Sequence, residues 1–305
     1  MTLKKITLAA LLAAYTCLPL QAMEIDPFKK TGIPTMDQHS TLVKLYAAGI
    51  QKFVNSSVGK TVMPWYRQKS IDLLKNNLFY DPSSYFDASP EIQQLGKEAQ
   101  EKLEIPQEQQ VPIKLMAMKV NIAAGYTLPT GIFIGPPSKR ARDKLILLHE
   151  SAHKKYYDCE IHSIEELLNL ITSSSLAYFC TKTLKNFKLT NNSLSKKFLG
   201  ITSFLGSLKL LGIGIDNSSK FRESRADFTA FHALGCHKCV SEYSEFRPTQ
   251  DSDRGKELRR EGYFPKNDLE IISEKFRKEN RVCDYHVQQQ QNIFQKAWRN
   301  LRNIL

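Results

Sequence analysis

The sequence lacks internal repeats, low-complexity domains and any stripe of basic residues interleaved with aromatics. The first two absences exclude a solenoid and a wholly disordered chain, and an apolar fraction of 42% points to an ordinary globular core. The third bears on the net charge of +12. Such a cation is able to touch nucleic acid or anionic headgroups, yet its lysines and arginines are scattered among acids, as in "RKEN" and "DRGKELRREG". No recognisable nucleic-acid module accompanies them, so a solvated basic surface is expected and nucleic acid is not expected as a partner.

A long apolar run is missing even at the start. "ITLAALLAAYTCLPL" follows the charged "MTLKK", contains Pro19 and leads to "LQA" at Ala22. This is the anatomy of a secretory signal over residues 1–22, and the run is short for a membrane span. A lipid-anchored start at Cys17 is disfavoured because the bulky Tyr15 stands where small residues are wanted. The expected location is therefore export, to the periplasm or cell envelope. Cysteine is scarce as well: beyond Cys17 there are Cys159, Cys180, Cys236, Cys239 and Cys283. An oxidising compartment favours pairing, and an odd number leaves at least one out.

What is present divides into recognisable stretches. Residues 23–105 read as a mostly helical, polar-faced N-terminal region, punctuated by the loops "DPFKKTGIPT" and "YDPSSYFDASP". Alternation in "PIKLMAMKVNIAAGYTLPTGIFIGPP" predicts strands, with Pro129-Thr130-Gly131 as a turn, "GIFIG" as a second strand and Pro136-Pro137 ending the sheet. Two strongly apolar segments follow, 164–180 and 198–215; a core helix pair and a membrane-leaning hairpin both fit, with length and polar content favouring the core pair. "SSKFRESRADFTAFHALG" predicts another helix stopped by Gly235, and 240–305 reads as helical and charged, with "EGYFPKNDLE" as the loop before a helix.

The chemistry concentrates in "LILLHESAHKKYY", residues 145–157. Leu145, Leu148, His149, Ala152, His153 and Tyr156 recur at the spacing of one buried helical stripe. Two inward imidazoles need partners for their ring nitrogens, and a metal ion is one such partner. "HESAH" fits H-E-x-x-H, in which histidines four apart aim both Nε2 atoms at one point. Glu150 is then rotated to reach a water there without becoming a ligand. Catalytic zinc needs a third protein ligand, and "ESRAD" offers Glu223, with Asp227 one turn on to accept the N–H of a ligand histidine. The competing reading makes Glu223 and Asp227 a solvated pair flanking Arg222 and Arg225, and this segment alone leaves both open. The strand pair ahead of the motif offers an edge to an extended peptide.

Taken together, "NIAAGYTLPTGIFIG", "LLHESAHKKYY" and "RESRADFTAFHALG" resemble the M48 family of zinc metallopeptidases over roughly residues 120–235. Position by position, the resemblance implies His149, His153 and Glu223 as ligands of one Zn2+, Glu150 as general base and Asp227 as the partner of a ligand histidine. It implies an α+β, mainly helical, zincin-like fold with a small mixed sheet and an active-site helix. Residues 106–305 would form the metallopeptidase domain with a helical C-terminal extension. The implied activity is a zinc-dependent endopeptidase acting on protein or peptide substrates in cell-envelope quality control, with peripheral membrane contact left open. The rival is a non-catalytic zinc-binding envelope protein, a chaperone or adaptor. The donor for a developing oxyanion stays open among His232, His286, Tyr243 and Tyr285.

Two further short motifs involve sulfur. "GCHKC" gives Cys236-x-x-Cys239 and "CDYH" gives Cys283-x-x-His286. Export favours a disulfide among the three cysteines, a structural zinc knot is the alternative, and Cys159 and Cys180 read as buried small residues.

Overall fold

The computed structural model describes residues 29–75, 85–116, 125–128, 130–136, 140–186, 193–284, 286–288 and 291–292. The signal expected over 1–22 lies outside them, as does Tyr285. Among the described residues the helices are α1 (Pro34–Asp37), α2 (Thr41–Asn55), α3 (Ser57–Lys75), α4 (Pro90–Lys102), α5 (Arg140–Tyr156), α6 (Asp158–Asn186), α7 (Ser193–Leu234), α8 (His237–Ser244), α9 (Asp253–Glu261) and α10 (Lys266–Lys278). The strands are β1 (Tyr85–Asp87), β2 (Ile113–Met116), β3 (Gly125–Leu128) and β4 (Gly131–Ile134). The chain is thus mainly helical with one small mixed sheet. It divides into two compact units, one drawn from His39–Asn76 and Tyr156–Arg222, the other from Lys30–Gln38, Asn77–Lys155 and Glu223–Leu305.

In the second unit the sheet runs β1-β2-β4-β3, with β2 parallel to β4 and the two outer pairs antiparallel. β4 is buried along its whole length, which is why "GIFI" is a continuous apolar run without alternation. β3 and β4 pair antiparallel with Leu128 opposite Gly131, and Pro129 of the turn predicted between them lies outside the described residues. β3 is therefore an edge strand among the described residues. β1 falls where "YDPSSYFDASP" reads as a loop; its three residues are too few to show a period, and they pair only against Lys114–Met116.

The inner end of β2 is held by side chains. Gln93 and Gln100 lie seven residues apart on one face of α4. The Gln93 amide accepts from the Ile113 N–H (3.1 Å) and donates to its carbonyl (2.7 Å). Gln100 does the same for Val111, at 2.8 and 3.0 Å. Two glutamines thus satisfy backbone groups that a neighbouring strand would otherwise pair. The motif helix α5 is less amphipathic than its stripe suggests. Leu145, Leu148 and Ala152 are buried as expected, but so are Ile146, Leu147, Ser151 and Lys154 on the other faces.

In the first unit the structure departs from the expected core helix pair. α6 and α7 carry segments 164–180 and 198–215, yet Leu170, Tyr178, Phe179, Ile201, Leu205 and Ile213 stand 50–67% exposed. The buried positions on these stretches include Ser173 and Ser207, and Asn169 donates to the Leu208 carbonyl. Small polar residues face inward and the large apolar ones outward, the reverse of a water-soluble helix pair. No described helix is long and apolar enough to cross a membrane. α7 is also one continuous 42-residue helix, where two were expected. Nothing at 212–219 breaks it: there is no proline, and Lys220 pairs with Asp216 one turn back. It ends where predicted, at Gly235, whose φ of +56° a residue with a Cβ adopts only with strain.

The disulfide expected among Cys236, Cys239 and Cys283 is not formed. The Cys239 and Cys283 sulfurs lie 3.6 Å apart, well beyond the bonded separation of about 2.05 Å. Cys159, expected to be buried, is half-buried in the first turn of α6; the Cys180 side chain lies outside the description.

Replacing Gln100 by Ala would strand the Val111 N–H and carbonyl beside a 2%-exposed site. A loss of about 1–3 kcal/mol is expected. Urea denaturation followed by near-ultraviolet circular dichroism measures it, and an unchanged midpoint would remove this role for the glutamine pair.

Candidate metal centre

α5 supplies His149, Glu150 and His153, and α7 supplies Glu223 and, one turn on, Asp227. The two helices bring three ligand atoms together. His149 Nε2 lies 3.0 Å from His153 Nε2, and each of these nitrogens lies 3.3 Å from Glu223 Oε2. A tetrahedral zinc with bonds of about 2.0–2.1 Å sets its ligand atoms roughly 3.4 Å apart. The three measured gaps fit a single ion of that kind, and these residues could hold a metal. The Glu223 side chain keeps 24% of its surface exposed against 12% and 10% for the two imidazoles, so the triad is open on the carboxylate's side.

Asp227 connects this cluster to its surroundings. Its Oδ1 accepts from His149 Nδ1 at 2.8 Å, which leaves the lone pair of Nε2 directed at the ligand cluster. Its Oδ2 accepts the backbone N–H of Phe264 at 2.9 Å. One turn earlier on α7, the Ser224 hydroxyl donates to the Gly262 carbonyl at 2.6 Å. Two α7 side chains therefore pin the loop 262–264, and Tyr263 is laid over His149 with ring centroids 5.9 Å apart and planes 29° from parallel. The alternative of a solvated Glu223–Asp227 pair is not what the chain forms: Asp227 is buried, and so are Arg222 and Arg225.

The electrostatics follow from burial set against pairing. Burial opposes charge on His149, but the Asp227 carboxylate and its hydrogen bond outweigh this and raise the imidazole to about 9. Burial would likewise raise Glu223, yet the charge of His153 and hydrogen bonds from both histidines hold its carboxyl well below the usual range. Asp227 is lowered, with burial again overcome by His149. Glu150 behaves differently. Burial lifts it above an ordinary carboxylate, and the neighbouring imidazoles only partly offset that. Its Oε2 lies 2.9 Å from the Thr127 hydroxyl, which is also 2.8 Å from the Glu150 carbonyl. Thr127 thereby joins edge strand β3 to the motif helix. Glu150 is thus a buried, raised-pKa carboxyl beside three ligand groups and is not among them.

Of the four candidates for an oxyanion donor, the structure moves two away. His286 belongs to a separate cluster with the cysteines. His232 lies nine residues past Glu223, about 13 Å further along the helix, where it packs between Phe228 and Phe276. Tyr243 is nearer, its hydroxyl held by Arg247 Nη2 at 2.8 Å. Sequence reasoning missed Tyr263, Arg247 and Thr127. Arg247 lies over both the Tyr243 and Tyr263 rings. Burial first, then the nearby Glu223 carboxylate, raises the Tyr263 phenol, so it stays protonated as a donor. The only sequence signal was the aromatic pair in "GYFP" after a helix stop, far from the motif.

No family model, no curated protein and no solved structure matches the chain.

Asp227→Asn should leave the fold in place and weaken zinc binding about 10–100-fold, as removal of a carboxylate behind a ligand histidine does. Competition with a chromophoric chelator measures this, and equal affinity would show that Asp227 does not orient His149.

Proposed function

We propose that this chain is a zinc-dependent endopeptidase of zincin-like fold, exported to the cell envelope, with His149, His153 and Glu223 as ligands of one ion. The observation that carries the reading is the convergence of those three atoms at 3.0–3.3 Å, with the Glu150 carboxyl beside them and outside the ligand set. Bound zinc would supply Lewis acidity, bringing the ionisation of a neighbouring water toward neutrality and polarising a carbonyl. Glu150 takes the proton of the attacking water and returns it to the departing amine nitrogen. A carboxyl held above the ordinary carboxylate range by burial is the stronger base for that proton. Asp227 keeps His149 in the tautomer that offers Nε2. Tyr263, whose ring lies over His149, is the assigned donor to the developing oxyanion, with Arg247 behind it.

Substrate would lie along β3, the edge strand tied to Glu150 through Thr127, and pair its backbone there in extended form. That arrangement favours unfolded segments of envelope proteins over folded ones. The outward apolar faces of α6 and α7 support peripheral membrane contact as part of the same reading.

Glu150→Gln separates chemistry from assembly. The variant should keep its zinc by metal analysis and hydrolyse an unfolded casein substrate about 10²–10⁴-fold more slowly. His149→Ala should lose both metal and hydrolysis. Retained hydrolysis in the Gln variant would reject the general base, and an equal biological effect of both forms would favour the non-catalytic envelope protein. Tyr263→Phe should lower kcat at unchanged zinc content, and unaltered kcat would remove the donor assignment.

A further inference from the structure

Apart from the site above, one other cluster among the described residues gathers metal-ligating atoms: Cys236, Cys239, Cys283 and His286. The three sulfurs stand 3.5, 3.4 and 3.3 Å from His286 Nδ1, and Cys239 Sγ is 3.6 Å from Cys283 Sγ. Zinc bonds of about 2.3 Å to sulfur and 2.0–2.1 Å to nitrogen give tetrahedral edges of roughly 3.8 Å between sulfurs and 3.5 Å from sulfur to nitrogen. The observed gaps are those edges to within a few tenths of an ångström.

Hydrogen bonding alone does not account for the arrangement. His286 Nε2 is 2.9 Å from the Glu242 carboxylate, an acceptor, so Nε2 carries the proton and Nδ1 offers a single lone pair. One lone pair cannot serve three thiol donors converging on it. A disulfide between any two of the sulfurs would leave the third and the imidazole facing each other without purpose. A cation at the centre satisfies all four groups, and the Glu242–His286 pair is the carboxylate that orients a ligand imidazole. Three of the four groups are buried, with Cys236 at 0%, His286 at 2% and Cys239 at 4% exposure, and Cys283 is half-buried.

We propose that Cys236, Cys239, Cys283 and His286 bind a second zinc ion, a closed structural site distinct from the peptidase centre. Four protein ligands leave no open position, so the site has no chemistry of its own. Its place in the fold says what it does. Cys236 follows Gly235 directly at the end of α7 and caps α8, while Cys283 and His286 follow α10. The backbone already brings these ends together, since His237 N–H donates to the Arg281 carbonyl at 3.1 Å and Ser273 to the His237 carbonyl at 3.0 Å. The ion closes the segment 240–282 into a loop, and that segment carries Tyr243, Arg247 and Tyr263. It clamps from behind the residues that surround His149.

The test uses the full chain and two metals alone, zinc and cobalt(II). Wild-type protein should hold two equivalents of zinc, and the His149→Ala/His153→Ala double variant should still hold one. Cobalt in that double variant should show a thiolate-to-cobalt charge-transfer band with intense tetrahedral visible bands. Stepwise mercuration should release its zinc in parallel with modification of three thiols. Adding Cys283→Ser to the double variant should abolish the sulfur band. A double variant without metal, a cobalt spectrum lacking sulfur bands, or a disulfide among these cysteines in non-reduced peptides would each overturn the proposal. A single wild-type zinc that survives the double histidine substitution would support it while rejecting the peptidase centre, so the two readings fail separately.

Discussion

The Asp227 carboxylate is the group on which the candidate site depends. One oxygen fixes the ring of His149 and the other fixes the backbone of Phe264, at 2.8 and 2.9 Å. Two α-helices and one loop are joined by a single buried side chain. Its charge is tolerated at 2% exposure because both oxygens have partners, the His149 ring N–H and the Phe264 backbone N–H. Without it the histidine would be free to turn its other nitrogen inward, and Tyr263 would lose the anchor that lays it over the ring.

The sheet and the helices divide the work around that bond. α5 and α7 present the candidate ligand groups at helical spacing, where side-chain direction is set by the backbone and the tolerance is small. β3 contributes Thr127 to Glu150 and stands at the edge of the sheet among the described residues. Beside β2, the two glutamines of α4 complete the backbone hydrogen bonding of Val111 and Ile113. The proposed second zinc belongs to this same scaffold. It acts on the loop bearing Tyr263 and not on the ligands.

The ligand spacing and the end of α7 are legible in the sequence itself. H-E-x-x-H is informative because its spacing coincides with the helical period, so residue identity and geometry are fixed together. Glu223 and Asp227 were reachable for the same reason. Gly235 marked the end of α7 through its backbone freedom. The failures have physical causes too. β1 is too short for periodicity, and the join of two helices into α7 left no trace because the absence of a breaker is easily overlooked. The apolar runs of α6 and α7 were expected inside because hydrophobicity alone does not say which face meets which, and here serines took the inner positions. Tyr263 was invisible because its position comes from hydrogen bonds to α7, a tertiary fact with no local signature.

The central claim is that three side chains from two helices bind one zinc ion. Anomalous diffraction at the zinc absorption edge, on crystals of the full chain grown without chelator, tests it most directly. The account predicts an anomalous peak about 2.0–2.2 Å from His149 Nε2, His153 Nε2 and a Glu223 oxygen, with Glu150 outside bonding distance. A zinc-replete crystal with no peak at that point, or with Glu223 turned away from the two histidines, would contradict it.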